Sequence, residues 1–375
     1  MLCLEERLVA TSFKGPSFDQ IRLAAATVVL LYHSRGVSVS DIRVDPLFLY
    51  SGGYVQFGLL AVLVFFSISG FLVTPGLVRS GKIIEYMVNR ALRVFPALIV
   101  VVIGSMLMLG PALTTFSLAS YFSDPRLYLY AKNITTWTYN YLPGVFRGDQ
   151  LIIVNGALWT LHYEVLSYAA LALMSLVGVL RWRKAFLVLF LATYSIYVVV
   201  NFRPTMEAIL TDRFVTFISL FVYFAAGAIL YIFRDRIPFS MAFTFGAFAI
   251  MLVALPYGLG PIFMPLCLPY ITIFCGLSVL PGRSLIKRDL SYGVYLIHAP
   301  ILVAFIVVFP GVKLWWFAAA IVFCVTVVLS YLSSTLVEQP ALRQKKIVSD
   351  WIRRRIETLR PIWTNCVRVW GAIDK

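Results

Sequence analysis

Charge is scarce in this chain: Asp, Glu, Lys and Arg supply 13% of its 375 residues, about half the share of an ordinary soluble domain. That shortage excludes a water-soluble enzyme held by one anchor, because a content 61% hydrophobic exceeds what one or two soluble cores can bury. Acidic residues are rarer still, 17 against 32 basic ones. Nor is there a cysteine framework. Cys3, Cys267, Cys275, Cys324 and Cys366 are scattered without metal-ligand or paired spacing, so most read as packing residues and no metal site is expected.

Apolar windows recur throughout, each of roughly 18 to 25 residues, the length that crosses about 30 Å of hydrocarbon as helix. Ten are found, near residues 17–34, 55–78, 94–111, 152–180, 184–201, 214–233, 239–256, 262–280, 290–310 and 314–337. The expected fold is all-α, a polytopic membrane bundle of about ten transmembrane helices without a separate soluble domain. Arg22 and His33 inside the first window, with no small-residue cleavage site after it, mark that window as retained rather than a signal peptide.

If the amino terminus is cytoplasmic, inside segments hold 23 Lys or Arg and outside loops hold 8. The bias predicts that both termini are cytoplasmic. Basic loops facing anionic headgroups account for most of the net charge of +15 without nucleic acid. The tail RQKKIVSDWIRRRIETLR reads equally as an amphipathic surface helix or as a solvated basic segment.

Ionisable groups at membrane depth are functional candidates, because burial there costs energy unless they face a polar interior. Arg22, His33, Glu164 and His298 stand out. Eleven residues separate Arg22 from His33, about three turns plus 20°, with a rise of about 16 Å. They share one helix face, and the pair predicts a polar path between the leaflets. Each alone reads as a snorkelling Arg or a satisfied core His.

Glu164 in NGALWTLHYEVLSYA needs a cationic or hydrogen-bonding partner. It is expected to approach His33 and fix its tautomer, or to hold an incoming hydroxyl, unless it makes only a structural interhelical bond. Trp159 lines a substrate path or belongs to the interfacial aromatic belt. His162 points away from Glu164 and is left out of the site. Arg90 and Arg93, three apart on a helix entering from the cytoplasm, suit a phosphorylated ligand or simple anchoring. In LSYGVYLIHAP, Tyr292, Tyr295 and His298 form a substrate path or a polar packing cluster. Glu338 in VEQP is expected to cap or reverse the chain before Pro340.

Taken in order, FDQIRLAAATVVLLYHS, VFFSISGFLV, VNRALRVFPAL, GALWTLHYEVLSY, LSYGVYLIHAPI and VEQP resemble the acyltransferase-3 family of bacterial membrane O-acyltransferases, over residues 18–340. The resemblance implies a membrane domain over 1–340, a basic cytoplasmic tail over 341–375, and residence in the bacterial cytoplasmic membrane. It implies transfer of an acyl group, commonly acetyl, from acyl-coenzyme A to a sugar hydroxyl of a surface polysaccharide or lipid-linked glycan, with acyl-CoA as co-substrate and no permanent cofactor. Arg22 and His33 fall on the family's first-helix Arg and His, Arg90 and Arg93 on its Arg-x-x-Arg pair, and Glu164 on its fourth-helix carboxylate.

A sugar hydroxyl is a poor nucleophile and a thioester is already activated, so the reaction needs a base and oxyanion stabilisation. His33 is expected to act as base or as transient acyl carrier. Arg90 and Arg93 are expected at the nucleotide phosphates, with Arg22 guiding the thioester inward. Acceptor choice is expected in the outside loop 112–151, which contains Trp137. A permease and a non-catalytic scaffold of glycan assembly are the competing classes.

Overall fold

The computed structural model describes residues 2–12, 15–37, 45–203, 210–280 and 288–358. Every apolar window holds a helix. In chain order these are α1 (Phe18–Ser34), α2 (Phe57–Ser80), α3 (Ile83–Gly104), α4 (Trp159–Leu176), α5 (Arg183–Phe202), α6 (Asp212–Ile232), α7 (Met241–Ala254), α8 (Gly260–Leu277), α9 (Ser291–Val308) and α10 (Trp315–Ser333). Seven of the described helical segments are long and apolar enough to cross a membrane. The other three fall short for visible reasons. α7 is short, α1 has 17 residues with Asp19 and Arg22 among them, and α4 carries His162 and Glu164. Charge placed in α1 and α4 marks them as the helices that face a polar interior.

Packing is tightest where side chains are smallest. α2 and α6 meet backbone to backbone: a Cβ on Gly70 would lie 1.9 Å from the Phe224 carbonyl oxygen, and one on Gly227 would lie 2.1 Å from that of Ser67. Small residues at a crossing let membrane helices exchange close contacts that lipid cannot offer. Around this crossing lies the largest apolar core, with Phe66, Leu171, Phe221 and Phe224 among its buried members.

Two helices run on beyond a proline by changing their winding. α3 continues through a π-helical turn at Ser105–Leu109 into Gly110–Leu113, and α10 through Ser334–Glu338 into Gln339–Arg343. An inserted π turn absorbs the lost donor of Pro111 and of Pro340 without ending the helix. Glu338 therefore does not reverse the chain; it sits inside a continuous helix, 2% exposed. The tail also starts as helix over 345–358, where Arg353 bonds Glu85 at 2.9 Å. Its last residues lie outside the described set.

The segment 112–151 is a folded cap. Tyr121, Tyr130, Leu142 and Val145 are buried against residues of α3 and α9, and Asn133 ties the cap together by donating to the Tyr130 and Tyr139 carbonyls and accepting from the Tyr139 N–H. Among the described residues the sole sheet is a two-stranded hairpin pairing Phe146–Arg147 with Gln150–Leu151.

Candidate active site

A charged cluster joins α1, α3, the start of α9 and the end of α10. Arg93 donates from Nη2 to Asp289 Oδ2 at 2.5 Å and from Nη1 to Glu338 Oε2 at 3.4 Å. Arg22 reaches the same Asp289 oxygen at 3.4 Å. The other Asp289 oxygen accepts from the Ser291 N–H at 3.0 Å and from its hydroxyl at 2.5 Å. Burial pushes the Asp289 carboxyl up, but Arg93, Arg22 and the Ser291 bonds outweigh it and hold the group below the usual carboxylate range. Glu338 takes a further bond from Ser333 at 3.2 Å.

This cluster changes the expected use of the arginine pair. Arg93 is engaged by two carboxylates and stacks over Tyr292, 5.6 Å from its centroid, so it is a hub between helices. Arg90 differs. Its guanidinium lies 5.7 Å from the Tyr168 centroid, and its Nε is buried without a hydrogen-bond partner. The pair shares a helix face, yet one member is bound up in the scaffold and the other presents a buried donor.

Above the cluster opens a narrow cleft lined by Arg22, Arg90, Arg93, Glu164, Tyr292 and Tyr295 among others. Most of its polar lining comes from α1, α3, α4 and α9, and most of its apolar lining from Val62, Phe65 and Phe66 of α2. Glu164 accepts from Tyr168 at 2.5 Å one helical turn away. Tyr295 donates to the Ala157 carbonyl at 2.8 Å and shares a 2.6 Å bond with the Thr160 hydroxyl. These bonds close the end of the cleft at Thr160, Tyr295 and Phe65.

His33 lies beyond that closure, half-buried and absent from the lining. Its Nδ1 is 2.9 Å from the Val29 carbonyl and 3.1 Å from Nε2 of His298, whose side chain is fully buried. The expected Glu164–His33 contact is not made. The partner of His33 is His298, one turn along α9 from Tyr295, while Glu164 is used by Tyr168. The face shared by Arg22 and His33 exists, but Ala25 and Val29 occupy it between them and pack with Ala61, Ala157 and Tyr295. Small residues on the seam let neighbouring helices close over α1, so an apolar layer interrupts the expected polar path.

The remaining expected residues are placed as follows. Trp159 is 36% exposed and packs edge-on against Tyr163, away from the cleft lining. Tyr292 bonds the Val94 carbonyl at 2.7 Å, tying α9 to α3. His162 lies apart from Glu164, near Thr136 and Trp137, as its helical phase predicts. Asn155 donates to the Leu296 carbonyl at 2.9 Å, which Pro300 leaves without a helical donor. Sequence reasoning missed Asp289. Its signal was an acid two residues before a helix that opens with Ser, the pattern of a side chain accepting orphan N–H groups.

No group of three or more His, Cys, Asp or Glu placed to hold a metal exists among the described residues. A model of the acyltransferase domain, acyltransferase 3, matches residues 16–335. An O-acetyl transferase of Shigella phage Sf6 is 30% identical over 341 residues, spanning 87% of this chain and 96% of the relative. Nodulation protein 10 of Rhizobium leguminosarum bv. viciae is 30% identical over 378 residues, spanning 91% of this chain and 96% of the relative. No solved structure matches. Sequence match, apolar helices and a charged cleft inside them agree: the chain belongs to the acyltransferase-3 family and is a membrane-embedded acyltransferase.

Proposed function

We propose that this protein moves an acyl group, acetyl in the first instance, from cytoplasmic acyl-coenzyme A to a hydroxyl of a surface polysaccharide or lipid-linked glycan. In this reading it sits in the bacterial cytoplasmic membrane with ten spans and both termini inside. The observation that carries the reading is a cationic cleft that ends one helical turn from a pair of imidazoles. Arg22 and Arg90 are the guanidinium groups left to meet the donor's phosphates and amides at the mouth. Between phosphate oxygen and sulfur, coenzyme A has twelve bonds, as many as four peptide residues, and so reaches about 14 Å. The rise from Arg22 to His33 is about 16 Å, which brings the thioester to the closure at Tyr295 and Thr160.

There His33 takes the proton of the acceptor hydroxyl as its oxygen attacks the thioester carbonyl. The carbon–oxygen bond forms, the carbon–sulfur bond breaks, and the imidazolium returns its proton to the leaving thiolate. When the closure parts, the Tyr295 and Thr160 hydroxyls are released from each other and from the Ala157 carbonyl and become donors for the developing oxyanion. The closure must part for the acyl group to pass, and that opening separates an enzyme from an open permease path.

The test uses membranes containing the protein, labelled acetyl-coenzyme A and the native glycan. Ester label in the glycan that is lost in Arg22→Ala and His33→Ala supports transfer. Uptake of donor or glycan without new ester bonds assigns a permease instead. Full transfer by a correctly inserted His33→Ala protein removes the base assignment.

A further inference from the structure

The two imidazoles, one at the end of α1 and one midway along α9, leave little freedom in where their protons lie. His298 Nδ1 is 3.0 Å from the Val294 carbonyl. A carbonyl only accepts, so this nitrogen carries the hydrogen, and in a neutral ring Nε2 is then a bare lone pair. That lone pair faces His33 Nδ1 at 3.1 Å. His33 Nδ1 also lies 2.9 Å from the Val29 carbonyl, so it too is the protonated nitrogen, shared between two acceptors. By exclusion, His33 Nε2 is the basic atom.

We infer that His298 is a positioning residue for acyl transfer: beside the Val29 carbonyl, its Nε2 accepts from His33 Nδ1–H, orients the ring whose Nε2 is the base and supports the imidazolium formed during the reaction. The inference rests on the reading of His33 as base. As Nε2 of His33 takes the hydroxyl proton, charge develops on the ring and its Nδ1–H bond to His298 strengthens. A buried carboxylate does this work in hydrolase triads. A neutral imidazole does it without placing an unpaired anion in an apolar layer.

The surroundings fit that role. Tyr32 of α1 is edge-on to His33 at 5.5 Å, and Tyr295 of α9 lies 6.2 Å from His298 with its hydroxyl bonded to Thr160 of α4. Among the described residues no acid pairs with either ring, and Glu164 is bonded to Tyr168.

The full chain has three histidines, so nitrogen-labelled histidine in lipid nanodiscs gives a simple spectrum, and His162→Gln assigns the remaining pair. Both rings should be neutral with Nδ1 protonated. His298→Leu leaves the Val29 carbonyl to hold Nδ1–H, so His33 should keep its tautomer while kcat for labelled acetyl-coenzyme A falls about 100-fold, with the donor KM within about twofold of wild type. His298→Gln keeps an oxygen acceptor and should restore most of kcat. Wild-type His33 protonated at Nε2 overturns the inference even if every variant misfolds, and so does undiminished kcat in His298→Leu. His33→Ala separates the two levels. Wild-type transfer in that variant sinks the base assignment, whereas an inactive His33→Ala beside a fully active His298→Leu removes the role of His298 alone.

Discussion

Removing the Arg93 side chain asks whether the second arginine of the pair is a ligand or a fastener. In Arg93→Ala, Glu338 at 3% side-chain exposure and Asp289 at 16% lose the cation between them. Only Arg22 remains, at 3.4 Å from one Asp289 oxygen. Breaking a buried pair by deleting one partner costs about 3–5 kcal/mol, most of it from the stranded charge. The upper half of that range is expected here because two carboxylates are stranded. Arg93→Lys serves one carboxylate at a time and should recover about half. Adding Glu338→Gln to Arg93→Ala removes one stranded charge and should return about 2 kcal/mol, a coupling that a thermodynamic cycle isolates. The assay is thermal unfolding of the detergent-purified protein by tryptophan fluorescence, with the acetyl-coenzyme A KM of the folded fraction measured alongside. Wild-type stability combined with a raised KM would refute the fastener argument and return Arg93 to the phosphates.

Three further expectations follow from the same geometry. Arg90→Ala should raise the donor KM by about tenfold or more with little loss of stability, since its Nε has no protein acceptor to strand; steady-state kinetics check it, and an unchanged KM contradicts it. Gly227→Ala should cost more than about 3 kcal/mol, because its Cβ would sit 2.1 Å from the Ser67 carbonyl oxygen and neither backbone can yield; the folded yield after solubilisation reads this out, and a normal yield counts against the crossing. Asp289 has a carboxyl held below its ordinary value, so its contribution is fully present above about pH 4 and is lost as pH falls through the lowered value. Unfolding temperatures between pH 7 and pH 3 should therefore drop for the wild type and flatten in Asp289→Asn, and parallel curves would show that the carboxylate adds nothing.

The helices were legible because hydrophobic length is a local property. Each of the ten windows contains a helix, and the extent of α1 agrees with its window to within one residue. The candidate site was legible in part, for the same reason. Arg22, Glu164, Tyr292 and Tyr295 announce themselves as polar groups in apolar runs and Arg90 as half of an i, i+3 arginine pair just before one, and they share one cleft. Pairing was not legible. Helical phase put Arg22 and His33 on one face but could not show that Ala25 and Val29 let neighbours fill the space between them. Glu164 was the companion expected for His33, and that His298 takes its place depends on how α9 packs against α1. Glu338 was misread because Pro340 suggests an end, whereas a π turn carries the helix through and aims the carboxylate inward. Asp289 lies outside every apolar window, where an acid attracts no notice.

The glycine crossing of α2 and α6 has a mechanical consequence. Main chain seated in main chain cannot slide without lifting a carbonyl out of its notch, so these two helices behave as a single strut. Whatever swing the proposed transfer requires must come from the opposite wall, where α1, α3 and α9 touch through guanidinium forks and phenol rings that can rotate in place. The molecule thus has a stiff back and a pliant front, and its moving parts are side chains before they are helices.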